Sequence, residues 1–247
     1  MKKFVFVFGF LFVAVNGYVA DLDVSQIKNA QAVFDTGNYS QAIEIYETII
    51  SIDRIKNPYL YYNLSNAYFR NGELPKALLN LQRAKRLIPR NKDVRHNESY
   101  VEALLAQEQG YRFPKELFFT TYFSLNEITV AASLFLMLCF ISVFLFIINR
   151  KPLFKKIAFY LGAIFFILCL LLIYKKLWQS RNNAVILEPA TLRAISSADE
   201  SNSNNLSLPA GSFVCFVLEK NALVLVKASV DGKSVEGWVS SLRIEKI

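Results

Sequence analysis

Histidine is almost missing from this 247-residue chain, His96 being the single one. A lone imidazole with no Cys or His nearby in sequence rules out the common zinc spacings, and it leaves no Ser/His/Asp or Cys/His set for nucleophilic catalysis. Cysteine is scarce as well, with Cys139, Cys169 and Cys215 only. No thiol pair, haem motif or iron–sulfur spacing can be built from them, so neither a cofactor nor a metal is expected. Cys139 and Cys169 fall in apolar runs, where cysteine acts as a small hydrophobe, although a disulfide between the runs stays open. Cys215 lies in a β-type run and is expected to be buried and inert.

Negative charge is the poorer sign, 20 Asp and Glu against 28 Lys and Arg, for a formal charge of +8. Much of the excess flanks apolar runs: Lys2 and Lys3, Arg150, Lys151, Lys155 and Lys156, then Lys175, Lys176 and Arg181. That placement suits the edges of membrane spans and argues against a nucleic-acid surface.

What the chain does have is length without charge. Ile128 to Ile148 contains no charged residue, and Ile157 to Tyr174 is a second apolar run. Each is close to the roughly 20 residues that a bilayer-crossing helix requires. Neither shows the polar face of a core helix in a soluble domain. The basic, proline-containing stretch 149–156 between them is a short turn, so the two runs predict a transmembrane hairpin with both flanking regions on one side. Met1 to Ala20, with Lys2 and Lys3 before an apolar run and small residues near Gly17 and Ala20, reads as a secretory signal; an uncleaved anchor is the alternative. Either outcome exports residues after 20, places the turn in the cytoplasm and exports the chain again after 176. The location expected is a bacterial inner membrane, with both soluble regions in the periplasm.

Residues 21–110 repeat themselves. AQAVFDTGNYSQAIEIYETII around Gly37 aligns with SNAYFRNGELPKALLNLQRAKRLIP around Gly72 at an offset of 35 residues. The two stretches resemble the tetratricopeptide repeat family, whose period is about 34 residues. Tyr61, Leu64, Ser65, Tyr68, Gly72, Ala77, Leu81, Ala84 and Pro89 occupy the signature positions of the second copy. Ser65 departs from the usual glycine, and the first copy has Arg54 where the terminal proline belongs. Gly37 and Gly72 supply inter-helix turns, and Ala42 and Ala77 let the paired helices approach closely. Asn91 to about Gln109 is amphipathic and charged, fit to be a solvating cap helix. Two repeats and a cap make five helices. By family position Ile27, Gln31, Phe34, Tyr62, Asn66 and Arg70 line a concave protein-binding face. Asn66 matches a groove asparagine of carboxylate-clamping members, but the basic partners of that clamp are not evident. At least half of Tyr59, Tyr61, Tyr62 and Tyr68 are expected in the core. Residues 111–127 form an aromatic lead-in, with Pro114 ending the cap helix.

Beyond Arg181 the pattern alternates. Ala184–Leu187, Ser212–Leu218, Ala222–Ala228 and Gly237–Ser240 are β-type runs, separated by turn-forming residues and by the polar loop Ser196–Asn205. The order of Glu188-Pro189, Arg193, Leu208-Pro209-Ala210-Gly211 and Gly237-Trp238-Val239 resembles bacterial SH3-like domains, which implies a small all-β barrel over 184–247. Gly211, Gly237 and Trp238 are its candidate ligand or core positions.

The whole order of modules is similar to the BatE-type proteins of the Bacteroides aerotolerance operon family. The resemblance implies a scaffold among other membrane proteins of such an operon, including von Willebrand A-type proteins, together with a MoxR-type ATPase. The alternatives are an envelope sensor binding peptidoglycan or a peptide through the SH3-like region, and, with no catalytic domain in sight, a wall-hydrolase accessory or enzyme.

Overall fold

The computed structural model describes residues 24–53, 56–109, 113, 121–181, 183–194, 206–230 and 233–247. The leader, the segment 195–205 and most of the aromatic lead-in, including Tyr111 and Pro114, lie outside them.

Five helices open the described chain: α1 (Val24–Asp35), α2 (Tyr39–Asp53), α3 (Pro58–Arg70), α4 (Leu74–Leu87) and α5 (Lys92–Gln109). Local chemistry sets their ends. The Asn57 side chain accepts the Tyr59 N–H at 2.9 Å and Pro58 occupies the first turn, so α3 starts there. It stops at Gly72 (φ +84°), whose N–H donates to Phe69 O while the Glu73 N–H donates to Tyr68 O. That pair of bonds is the left-handed Schellman ending. Gly37 ends α1 with the same φ of +84°. Asn91 starts α5 by accepting the N–H groups of Asp93 and Val94, both at 3.0 Å. Ala42 and Ala77 are fully buried, which allows the close helix packing that the repeat demands. Of the clustered tyrosines Tyr68 is buried in a core, Tyr61 and Tyr62 are half-buried against one, and Tyr59 is exposed.

Two long apolar helices follow, α6 (Leu125–Asn149) and α7 (Pro152–Arg181). A capping box between Ser124 and Glu127 starts α6. The turn between them is only Arg150 and Lys151, Arg150 adopting φ 53°. Residues 152–156, expected in that turn, are instead the first turn of α7, since Pro152 favours a helix start and the lysines after it are good helix formers. Ser142 Oγ donates to Phe154 O across the pair at 2.9 Å, and Gly162 faces Cys139. Small residues at such a contact let the backbones approach. Both helices are long and apolar enough to cross a membrane, and their most apolar windows are 11% and 0% buried. A soluble core helix is mostly buried; these are bare.

The C-terminal region is antiparallel: β1 (Ala184–Ile186), β2 (Ala190–Ala194), β3 (Leu206–Leu208), β4 (Phe213–Lys220), β5 (Leu223–Val230), β6 (Lys233–Ser240) and β7 (Ile244–Lys246), with a short 3-10 turn at Ser241–Arg243. The strand order is β3-β2-β6-β5-β4-β1-β7. A closed barrel was expected, yet β3 and β7 at the two ends are not paired among the described residues. β7 is met by α4 instead. Its inner face packs Ile186, Leu192, Val214, Val226 and Val239 into one core. All three cysteines are free, and Cys215 is half-buried rather than buried.

A further core ties sheet to helices. Leu78, Leu81 and Ala84 of α4 and Val94, Val101 and Leu105 of α5 pack with Val185 of β1 and Phe213 of β4. Arg83 of α4 bonds Glu245 at 2.7 Å and Lys246 O at 2.6 Å, and Arg86 donates to Ile247 O at 3.2 Å. The helices also reach the base of α6, where Arg90 pairs with Glu127 and the Arg95 guanidinium lies 4.4 Å from the Tyr122 ring centre.

Candidate functional site, a groove across the odd-numbered helices

In stacked helical hairpins the first helix of each unit faces inward, so α1, α3 and α5 share one concave side. Between them lies a cavity of about 460 Å³ lined by Phe34, Asn66, Phe69, Arg70, His96 and Tyr100 among others. The size lies in the range of ligand sites. Its aromatic part is ordered by packing, with Phe69 and Tyr100 ring centres 5.8 Å apart.

The polar wall comes from α3 and α5. Asn97 Nδ2 donates to Tyr62 OH at 3.2 Å and to Asn66 Oδ1 at 3.1 Å. This bridge fixes both helices while leaving Asn66 Nδ2 and Asn97 Oδ1 over among the described residues. Ser65 is buried, its hydroxyl turned back onto Tyr62 O at 2.6 Å, so it serves helix packing. His96 is exposed on α5 and lines the cavity.

Three of the six residues expected on the concave face therefore line the cavity: Phe34, Asn66 and Arg70. Ile27 is half-buried against the core of the first hairpin. Gln31 is exposed, accepts the Tyr46 hydroxyl at 3.2 Å and donates to Asp35 at 2.9 Å. Tyr62 is half-buried against the core that α4 and α5 share with the sheet, with its hydroxyl held by Asn97. The expectation missed Phe69, His96, Asn97 and Tyr100. For the three on α5, the available signal was register: treated as the first helix of another unit rather than as a solvating cap, α5 contributes its inward face. Burial raises the phenol pKa of Tyr68 far above its ordinary value, and its hydrogen bond to Glu47 adds to the shift, on the opposite side of α3.

The sheet's candidate positions are not gathered into a cavity with these. Gly211 adopts φ +84° and sits against α5, where an added Cβ would come within 2.7 Å of Leu105 Cδ1. Gly237 is buried and Trp238 half-buried on β6, opposite Leu225 and Arg193. Pro89 is buried where α4 gives way to α5.

Residues 58–91, which span α3, α4 and the turn after them, match the tetratricopeptide repeat family. That module is a non-catalytic protein-interaction repeat. No curated protein matches the chain.

Proposed function

We propose that this protein is a non-catalytic membrane scaffold. In this reading α6 and α7 cross the bilayer as a hairpin, and the helical repeats and the sheet stand together on its outer side. The groove of α1, α3 and α5 receives a segment of a partner protein. The observation that carries it is an open groove on an interaction repeat, fastened through Arg90 and Arg95 to the base of α6, the first of two bare apolar helices. Anchoring matters because a partner in the same membrane binds at high effective concentration, so a weak groove suffices.

The resemblance to BatE-type proteins, including the SH3-like order of turns in the sheet, extends this reading. The partners would then be neighbouring membrane proteins with von Willebrand A-type domains, in an inner membrane, with the interaction regions in the periplasm. Contact between sheet and repeats argues for one composite platform over two independent grips.

A photo-crosslinking amino acid placed at Asn66, in native membranes, tests the proposal. Adducts with a membrane protein are expected from that position and not from Glu219 on the far end of β4. Equal adducts from both positions, or none from Asn66, would refute it. Labelling of Ser99→Cys and Ser241→Cys by a membrane-impermeant maleimide on spheroplasts tests the orientation, both sites being expected to react.

A further inference from the structure

The cations of the repeat are mostly spoken for. Lys76 meets Glu73, Arg83 meets Glu245, Lys85 meets the buried Glu98, and Arg90 meets Glu127. Arg70 is different. It is exposed at the end of α3, lines the groove, and makes no hydrogen bond or ion pair among the described residues. It follows Asn66 by four positions, so the two side chains share one face of the helix. None of the residues lining the groove is Asp or Glu, and His96 adds a second basic group to the wall.

We infer that the groove selects an extended, acidic segment of its partner, an Asp or Glu side chain of that segment pairing with Arg70. This rests on the protein-interaction reading above and names the chemistry of the partner. The parts divide the work. Asn66 Nδ2, a donor, and Asn97 Oδ1, an acceptor, both left over from the Asn97 bridge, match the C=O and the N–H of an extended backbone respectively. Phe34, Phe69 and Tyr100 offer an apolar seat for a neighbouring side chain. The guanidinium fork binds a carboxylate in two parallel bonds, and a basic segment is refused because nothing in the groove can neutralise it. Arg70 stands at the open rim, so its contribution is expected to fall with salt.

The test uses the full chain in phosphatidylcholine nanodiscs and twelve-residue peptides, acetylated and amidated, carrying a neutral dye. Three sets alternate leucine with Asp, with Asn or with Lys. The Asp set is expected to bind about five-fold more tightly than the Asn set at low salt, the scale of a partly exposed ion pair. Raised salt should narrow the gap. Arg70→Gln should close it while leaving Asn-set binding and the melting temperature unchanged, and Arg70→Glu should shift preference to the Lys set. Equal binding of all three sets, or a gap that survives Arg70→Gln, overturns the inference. If those equal affinities are still abolished by Asn66→Trp, the groove remains a protein-binding site without charge selection. If no set binds, the groove reading falls with the inference.

Discussion

One helix, α5, shows two opposite solutions to the end of a repeat array. On one side Val94 and Leu105 join a core with α4 and with Val185 and Phe213 of the sheet, which fill the space that another helical pair would take. On the other side His96, Asn97 and Tyr100 stay open around the groove. The closed side is apolar and interlocked; the open side is polar and aromatic. A terminal repeat must hide its last apolar face, by a polar cap or by another part of the chain. Here the sheet takes that task, which frees the inward face of α5 to remain part of a binding surface.

The comparison breaks most readily at Gly211. A side chain there meets two penalties, the left-handed φ of +84° and overlap with Leu105 Cδ1 at 2.7 Å. Leu105 is 1% exposed and packed on all sides, so it cannot swing away. Gly211→Ala should therefore cost about 2–5 kcal/mol, from strain of about 1–2 kcal/mol and overpacking of about 1–3 kcal/mol. The midpoint of thermal unfolding in mild detergent, followed through Trp238 fluorescence, should drop by roughly 5–10 °C. Leu105→Ala removes the obstacle but not the strain, so the double variant should be more stable than the sum of the single losses predicts. Strict additivity would mean that the turn and α5 do not touch.

The local part of this architecture was readable, and the long-range part was not. Glycine at 37 and 72 with alanine five residues later announces a helical hairpin, because turn and close contact are both encoded within one unit. The apolar runs of α6 and α7 were equally plain, although their ends were not: the lysines at 155, 156, 175 and 176 break the hydrophobic window without breaking the helix. β1, β3 and β7 have three residues each, too few to show alternation on their own. The apolar run Ala184–Leu187 marks β1, whereas no comparable signal marks β3, β7 or the five-residue β2. The open order of the sheet stayed hidden for the same reason, since turn residues report where strands end and not which edges meet. In the groove, Phe34, Asn66 and Arg70 stand at concave positions of the repeat register, whereas the charge on α5 reads as that of a cap and hides its inward face. Contacts such as Arg83 with Glu245 join residues 162 positions apart and leave no local trace.

Arg83 gives the next largest effect on the closed side. It joins α4 to β7 through Glu245 and Lys246 O, and its guanidinium lies 5.9 Å from the Tyr61 ring centre. Arg83 is half-buried but Glu245 is exposed, so solvent screens the pair. Arg83→Ala is expected to cost about 1–2 kcal/mol, most of it from the hydrogen bonds made by the charged donor. Amide exchange in β7 and in its neighbour β1 should accelerate, with α1 and α2 unaffected. Unchanged exchange in β7 would show that the apolar core alone holds the sheet in place.

The open side supplies the smallest expected effect. Asn97→Ala deletes the bridge to Tyr62 and Asn66, at 3.2 and 3.1 Å, yet Asn66 lines a groove that water can enter and Tyr62 is only half-buried. A lost hydrogen bond costs little when solvent replaces it, so the expected change is about 0.5–1 kcal/mol, at most a few degrees in the melting midpoint. Binding should respond more than stability does, because the variant loses Asn97 Oδ1 and releases Asn66 from the bridge, so the groove is no longer preorganised. The Asp-containing peptides should therefore weaken against Asn97→Ala by more than its small shift in melting suggests. The contrast between the two sides of α5 fails if Asn97→Ala destabilises the fold as much as Gly211→Ala, for then the groove wall would be as much a part of the core as the seam beneath the sheet.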